Sequence, residues 1–311
     1  MARNDDCLQV KADWEKLFSQ PGDRLHTIYR YREDVFKVVQ LYREFAAWPG
    51  GCKRTEKVND HKLENNLSRQ RRELLEYALC NDWDYFVTLT LDESKSDRFR
   101  LDAWMNRFNQ FIRDNRKKGL VCRYLLVPER HNNGAWHAHG LFAGNMRLEY
   151  FRDLFAKGEK LPLKLVNSDY MRWQLYHDKF GFCSFGRIKN PVASALYITK
   201  YITKDVLRTN DAYYGHGYFH SRPLEKSTRF AQFVDRCDTW DQYLTNKYEF
   251  CATGMIYPKD GWDKELLSMA IEEVYSPAAL FTSAPLSCTA HVSDAELEAD
   301  AWYNFEQLSF N

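Results

Sequence analysis

The chain has 311 residues, 44% of them hydrophobic and 28% charged, a composition that excludes collagenous and disordered classes and allows one or two buried cores. Its apolar runs, such as Tyr85 to Leu91 and Val121 to Pro128, are too short and interrupted to span a bilayer, and no apolar leader follows the start, so neither membrane insertion nor secretion is expected. All 44 basic residues fall at or before Lys264 while eight of the 43 acidic residues follow it, so the net charge of +1 conceals a positive excess over residues 1–264 that suits a polyanionic partner.

From Asp23 to Ala47 apolar residues recur at near-helical spacing (Leu25, Ile28, Val35, Val38, Val39, Leu41, Tyr42, Phe45) and stop at Pro49-Gly50-Gly51, which predicts one or two helices and a break. A basic segment (Lys53, Arg54, Lys57, Lys62) leads into a helix over about Ser68 to Leu79, with Leu74, Leu75, Ala78 and Leu79 inward and Arg69, Arg71 and Arg72 outward. Tyr85 to Leu91 then alternates. Tyr85, Val87, Leu89 and Leu91 share one face and Thr88 and Thr90 the other, the pattern of a half-buried strand. Between Arg98 and Arg116 the period lengthens to that of an amphipathic helix with Phe99, Ala103, Trp104, Phe108, Phe111 and Ile112 in one stripe, ending before Gly119.

Two strands follow, Val121 to Glu129 and Ala135 to Phe142, joined by a hairpin at His131-Asn132-Asn133-Gly134. A helical stretch near Leu148 to Ala156, an inserted segment around Pro162 to Lys179 and a strand at Phe180 to Ile188 complete the order β-α-β-β-α-β. This is the order of a ferredoxin-like split βαβ unit, an α+β fold with an antiparallel sheet, helices on one face and the other face open. Asn190 as N-cap and Pro191 at the first helical position start a further helix to about Leu207.

The motif Trp136-His137-Ala138-His139 places two imidazoles at i and i+2 of a strand, so both leave the same face and can converge on one ion. Trp136, Ala138 and Phe142 point the opposite way, into the helix layer. Glu129, at the end of the partner strand, is the third ligand that the hairpin brings to that level, with His131 in the loop as the alternative. Two imidazoles and a carboxylate with open positions suit Mn²⁺ or Mg²⁺ acting as a Lewis acid on a phosphate oxygen. In the last helix Tyr197 and Tyr201 lie four residues apart and share a face, while Lys200 and Lys204 form an adjacent cationic ridge. Tyrosines at this spacing also pack cores; beside lysines and a metal ion they become candidate nucleophiles, because a phenol with a pKa of about 10 needs its developing charge stabilised.

Phe86 to Asp92 (F-V-T-L-T-L-D), the His-Ala-His strand and the doubled Y-x-x-K match, in order, three motifs of HUH endonucleases, and the chain most resembles the two-tyrosine rolling-circle initiators of small single-stranded DNA phages and related plasmids or prophages. The resemblance covers roughly Trp83 to Leu207. It implies that His137, His139 and Glu129 bind the divalent ion, that Tyr197 or Tyr201 attacks the scissile phosphate of origin DNA to leave a 5′-phosphotyrosine and a free 3′-OH, and that Lys200 and Lys204 neutralise phosphate charge. Which tyrosine acts first stays open. A host polymerase would extend the 3′-OH, and a host helicase is implied, because no G-x-x-x-x-G-K-[ST] loop occurs.

The expected organisation is a helical extension over 1–80, the endonuclease domain over 81–210, an aromatic and basic extension over 211–264 and an acidic tail over 265–311. Eight single cysteines without a C-x-x-C pair argue against a zinc ribbon or disulfide framework and fit a bacterial cytoplasm. Alternatives within the superfamily are a transposase or a relaxase. Outside it stand a histidine-dependent phosphohydrolase, which leaves the tyrosine helix unexplained, and a non-catalytic single-stranded nucleic-acid binder, which needs no His-His-Glu set.

Overall fold

The structure, a computed structural model, describes residues 22–42, 58–202, 217–235, 238–247 and 251–256. Two compact units divide the chain. One contains residues 1–56 and 226–292, the other 57–225 and 293–311.

In the first unit β1 (Arg24–Arg32) and β2 (Val35–Tyr42) form a hairpin, joined in one antiparallel sheet by β10 (Thr228–Asp235), β11 (Asn246–Lys247) and β12 (Cys251–Ile256) in the order β10-β1-β2-β12-β11. The helical reading of Asp23 to Ala47 is therefore corrected over residues 24–42, which are strands; residues 43–47 lie outside the described set. The segment is rich in β-branched and aromatic side chains (Thr27, Ile28, Tyr29, Tyr31, Val35, Val38, Val39), with only Glu33-Asp34 between the strands. Burial on both faces of β2 blurs its alternation and mimics a three-to-four spacing. Ile28, Phe36, Val38, Ala231, Ala252 and Ile256 form the core of one face with Trp240 and Leu244.

The second unit is built on a seven-stranded antiparallel sheet. Its strands are β3 (Tyr85–Thr90), β4 (Cys122–Arg130), β5 (Trp136–Gly144), β6 (Leu148–Tyr150), β7 (Met171–Trp173), β8 (Cys183–Arg187) and β9 (Phe219–His220), in the order β6-β7-β8-β3-β5-β4-β9. The central order β8-β3-β5-β4 is that of the ferredoxin-like fold expected from the sequence. The inserted segment adds β6 and β7 to one edge, with short helices α3 (Phe151–Ala156), α4 (Leu163–Val166) and α5 (Gln174–Lys179) between and after them.

One face is covered by α2 (Leu101–Arg116), whose Leu101, Trp104, Met105, Phe108, Phe111 and Ile112 are buried against Val87, Leu89, Leu126, Trp136, Ala138, Phe142 and Phe185. Phe99, expected in this stripe, precedes the helix and is 49% exposed. Phe108 is the hub, its ring centroid lying 5.1 Å from Tyr124, 6.4 Å from each of Phe111, Tyr176 and Phe180, and 6.5 Å from Phe142. Each such side chain contributes about 1.5–3 kcal/mol by leaving water.

The other face carries Phe86, Thr88 and Thr90 of β3, which pair with Leu141, His139 and His137, and Leu125, Val127 and Glu129 of β4, which pair with the same three β5 residues. It is not open throughout. Leu125, Val127 and Leu141 are fully buried, and the tyrosine-bearing helix α6 (Pro191–Thr199) brings Tyr197 against Phe86. Helix α1 (Val58–Cys80) packs on α6 and is longer at its N-terminus than the sequence pattern predicts.

Candidate metal and tyrosine site

The β4–β5 hairpin sets the geometry. Its register places Glu129 directly opposite His137 and Val127 opposite His139, so the carboxylate and both imidazoles leave one face. Gly140 lets the strands close at this point, because a Cβ there would stand 2.6 Å from the Leu125 carbonyl oxygen. Nε2 of His137 lies 2.9 Å and Nε2 of His139 3.2 Å from Glu129 Oε2, and the ligand atoms of the three residues all lie within 4.8 Å of one another. His131, the alternative third ligand, instead stacks its ring on His137 with centroids 3.8 Å apart and planes at 20°.

Thr88, one strand away on β3, approaches Nδ1 of His139 with its Oγ1 at 3.2 Å. With Nδ1–H donating to the threonine, the Nε2 lone pair faces the carboxylate, an arrangement that a cation between them stabilises. Burial lowers the pKa of His139 to about 4, helped by the neighbouring His137 and His131 rings, and these outweigh the nearby carboxylate. Burial also lowers that of His137, with His131 adding to the shift and Glu129 opposing it. Both imidazoles are thus held in the neutral form that ligates metal, and the N, N, O donor set fits a divalent cation.

The tyrosines enter from α6. Asn190 caps its first turn, with Oδ1 accepting from the Ala193 N–H at 2.9 Å, and Pro191 takes the first helical position as expected. The α-helix ends at Thr199, not near Leu207; the next N–H groups of Lys200, Tyr201 and Ile202 bond to the carbonyls three residues back. Tyr201 stacks on His139, with ring centroids 3.8 Å apart and planes at 19°. Tyr197 lies edge-on to Tyr201 at 5.5 Å, and Phe86 contacts both rings from below. Burial, and then a hydrogen bond with Tyr197, raises the pKa of Tyr201. Lys200 places its Nζ 3.9 Å from the Tyr197 ring centroid. Lys204 and the continuation of the helix to Leu207 lie outside the described residues.

The structure thus brings Glu129, His137, His139, Tyr197, Lys200 and Tyr201 into one cluster. Three further residues were not singled out as site residues in the sequence. Thr88 was legible as a polar position on the strand face. Phe86 lay inside the first motif, quoted for its pattern and not for a contact. Arg71, expected on a solvated helix face, instead donates from Nε and Nη2 to the Ile202 carbonyl oxygen at 3.1 and 3.0 Å, and no local signal announces that contact.

Among the described residues no helix is long and apolar enough to cross a membrane. Comparison with curated proteins and with solved structures gives no match. Residues 84–206, the stretch from the start of β3 through the tyrosine segment, match the model of the replication-associated protein family of the ORF2 type. That match supports a replication initiator of the Rep type, for which DNA is the ligand.

Proposed function

We propose that the chain initiates rolling-circle replication by nicking single-stranded origin DNA and later rejoining it through a 5′-phosphotyrosine. The observation that carries this reading is the stacking of Tyr201 on His139, which ties a paired-tyrosine segment to the His-His-Glu set. Glu129, His137 and His139 would hold a divalent ion, Mn²⁺ or Mg²⁺, whose contribution when bound is Lewis-acid stabilisation of charge on the scissile phosphate.

The chain's own residues do the remaining work. Thr88 orients His139, and Phe86 supports both tyrosine rings. A tyrosine Oη attacks phosphorus as the bond to the 3′-oxygen breaks; the phenolic proton is lost and the 3′-oxygen gains one, leaving a phosphotyrosine and a free 3′-OH. The phosphodiester's energy is kept in the new ester, so attack by a 3′-OH reverses the step and rejoins the strand. Lys200 stabilises negative charge developing at Tyr197, and Lys204 would add to the cationic ridge in the same way. A second tyrosine one turn away can cut the regenerated origin while the first holds the strand. A host polymerase extends the 3′-OH, and a host helicase opens the duplex.

The test incubates the full chain with Mn²⁺ and labelled single-stranded oligonucleotides from its own replicon and looks for a covalent adduct on a denaturing gel. The expected result is a metal-dependent adduct that survives at least one of Tyr197→Phe and Tyr201→Phe and is absent from the double variant. Binding without adduct on any origin fragment, unchanged by His137→Ala, would overturn the reading in favour of a non-catalytic binder.

A further inference from the structure

An open cleft of about 750 Å³ adjoins the site, running from Glu129 and His137 to a rim formed by Arg98, Arg130, His131, Asn132 and Asn133. Its two walls are built, not incidental. The Trp136 backbone N–H donates to the Arg98 carbonyl at 2.8 Å and its Nε1–H to the Phe99 carbonyl at 3.2 Å, so the turn before α2 is stapled to the start of β5. That staple leaves the Phe99 ring half in solvent and against the hairpin, its Cδ1 3.8 Å from where a Cβ on Gly134 would lie.

Arg130 is oriented in the same way. Its Nε donates to the Gly134 carbonyl at 3.0 Å and its guanidinium lies 5.5 Å from the Trp136 ring centroid. Among the described residues its two terminal nitrogens make no hydrogen bond or ion pair. Arg98 pairs with the exposed Glu93 at 2.5 Å, which places a second guanidinium at the same rim. Asn133 spends its Oδ1 on the Ala135 N–H, and its NH₂ stays available. His131, with one ring face on His137, presents the other outward.

Ring faces, two guanidinium groups and side-chain amides are the groups that hold an unpaired nucleotide: rings stack the base, guanidinium groups take phosphate or a base edge, and amides read the edge. A duplex, whose base faces are hidden by stacking, would not use Phe99 or His131. A guanidinium fork fixed at Nε with both terminal nitrogens forward matches the O6/N7 edge of guanine best. Resting on the reading that this chain acts on single-stranded DNA, we propose that the cleft is a base-reading subsite, in which Arg130, Asn132 and Phe99 select a nucleotide, guanine by the geometry of Arg130, next to the scissile phosphate.

The experiment uses the full chain carrying Tyr197→Phe and Tyr201→Phe, so that binding is measured without cleavage. A single-stranded DNA library with randomised positions is captured by this protein and sequenced, and the selection is repeated with Arg130→Ala or Asn132→Ala added. The expected result is a guanine enriched at one position, with roughly tenfold of that preference lost in Arg130→Ala while preferences at distant positions persist. Both side chains are exposed, so folding is preserved, and unchanged melting temperatures verify this. Position-by-position preferences identical in all three proteins would overturn the subsite. The adduct assay on the unmodified chain separates the two readings: an adduct with Arg130-independent preferences removes only the subsite, and Arg130-dependent preferences without any adduct remove only the nicking reaction.

Discussion

The Lys200 ammonium sits over the face of Tyr197, 3.9 Å from the ring centroid, while the Tyr201 ring sits over the face of His139 at 3.8 Å. The two tyrosines of one helical segment thus have different partners, one a cation and the other an imidazole of the candidate metal set. A phenolate spreads its charge into the ring, so a cation over that ring favours the ionised form more than the neutral one. Lys200→Gln is expected to slow single-turnover adduct formation by about 10- to 100-fold. Lys200→Arg should recover most of the rate, and oligonucleotide affinity should fall much less than the rate does. Equal losses in rate and affinity would instead mark Lys200 as a phosphate contact alone.

Metal binding should be visible without DNA. A cation that binds the folded site and not the unfolded chain stabilises the protein by mass action, by about 2.7 kcal/mol at a hundredfold excess over its Kd. Thermal denaturation with and without Mn²⁺ should show this shift in the unmodified chain and lose it in Glu129→Gln or His137→Ala. A shift that persists in both variants would place the metal elsewhere.

The metal-free protein should lose stability on mild acidification. His139 has its pKa lowered to about 4 in the folded state, so the unfolded chain takes up a proton near pH 6.5 that the folded chain refuses until about pH 4. The unfolded state therefore binds more protons in this window. Stability is complete above pH 6.5, falls as pH drops through the window and levels below it, a loss on the order of 3 kcal/mol from this group. Urea unfolding at pH 7, 5.5 and 4 in chelator measures it, and His139→Gln should flatten the profile.

The core makes a plainer demand. Phe108 is fully buried and touches rings from α2, β4, β5 and the segment around α5. Phe108→Ala should cost about 3–5 kcal/mol by combining lost transfer energy with an unfilled cavity. Phe99→Ala, just ahead of the same helix and half exposed, should cost little. Chemical denaturation of the two variants separates the buried position from the exposed one, which the sequence pattern had placed in a single stripe.

What could be read in the sequence follows from how local each signal is. β3, α2, β4, β5 and the start of α6 are long enough for period and caps to show, and the i, i+2 histidines with a hairpin between them and Glu129 fix the ligand set by strand geometry alone. β6 and β7 are three residues each, too short to carry a period, so the widened sheet was invisible. The β1–β2 hairpin was misread because both faces of β2 bury side chains and alternation fades. Thr88 beside His139 and Arg71 beside Ile202 join positions 51 and 131 residues apart, and no local pattern encodes such meetings.

Arg71 carries the last prediction. The tyrosine segment ends in carbonyl groups that its own helix cannot satisfy, and the Ile202 carbonyl, next to Tyr201, receives two hydrogen bonds from the Arg71 guanidinium. A cation at this end also complements the helix dipole. Arg71 touches no reacting atom, so its role is to position Tyr201 over His139. Arg71→Ala is expected to lower the rate of adduct formation by about tenfold, since small displacements of a reacting group cost that much or more. The affinity for the oligonucleotide and the Mn²⁺-induced melting shift should hold. Arg71→Lys, which can keep a single charged hydrogen bond, should restore part of the rate; a loss of stability with the rate per folded molecule unchanged would reduce Arg71 to an ordinary packing contact between α1 and the end of the tyrosine segment.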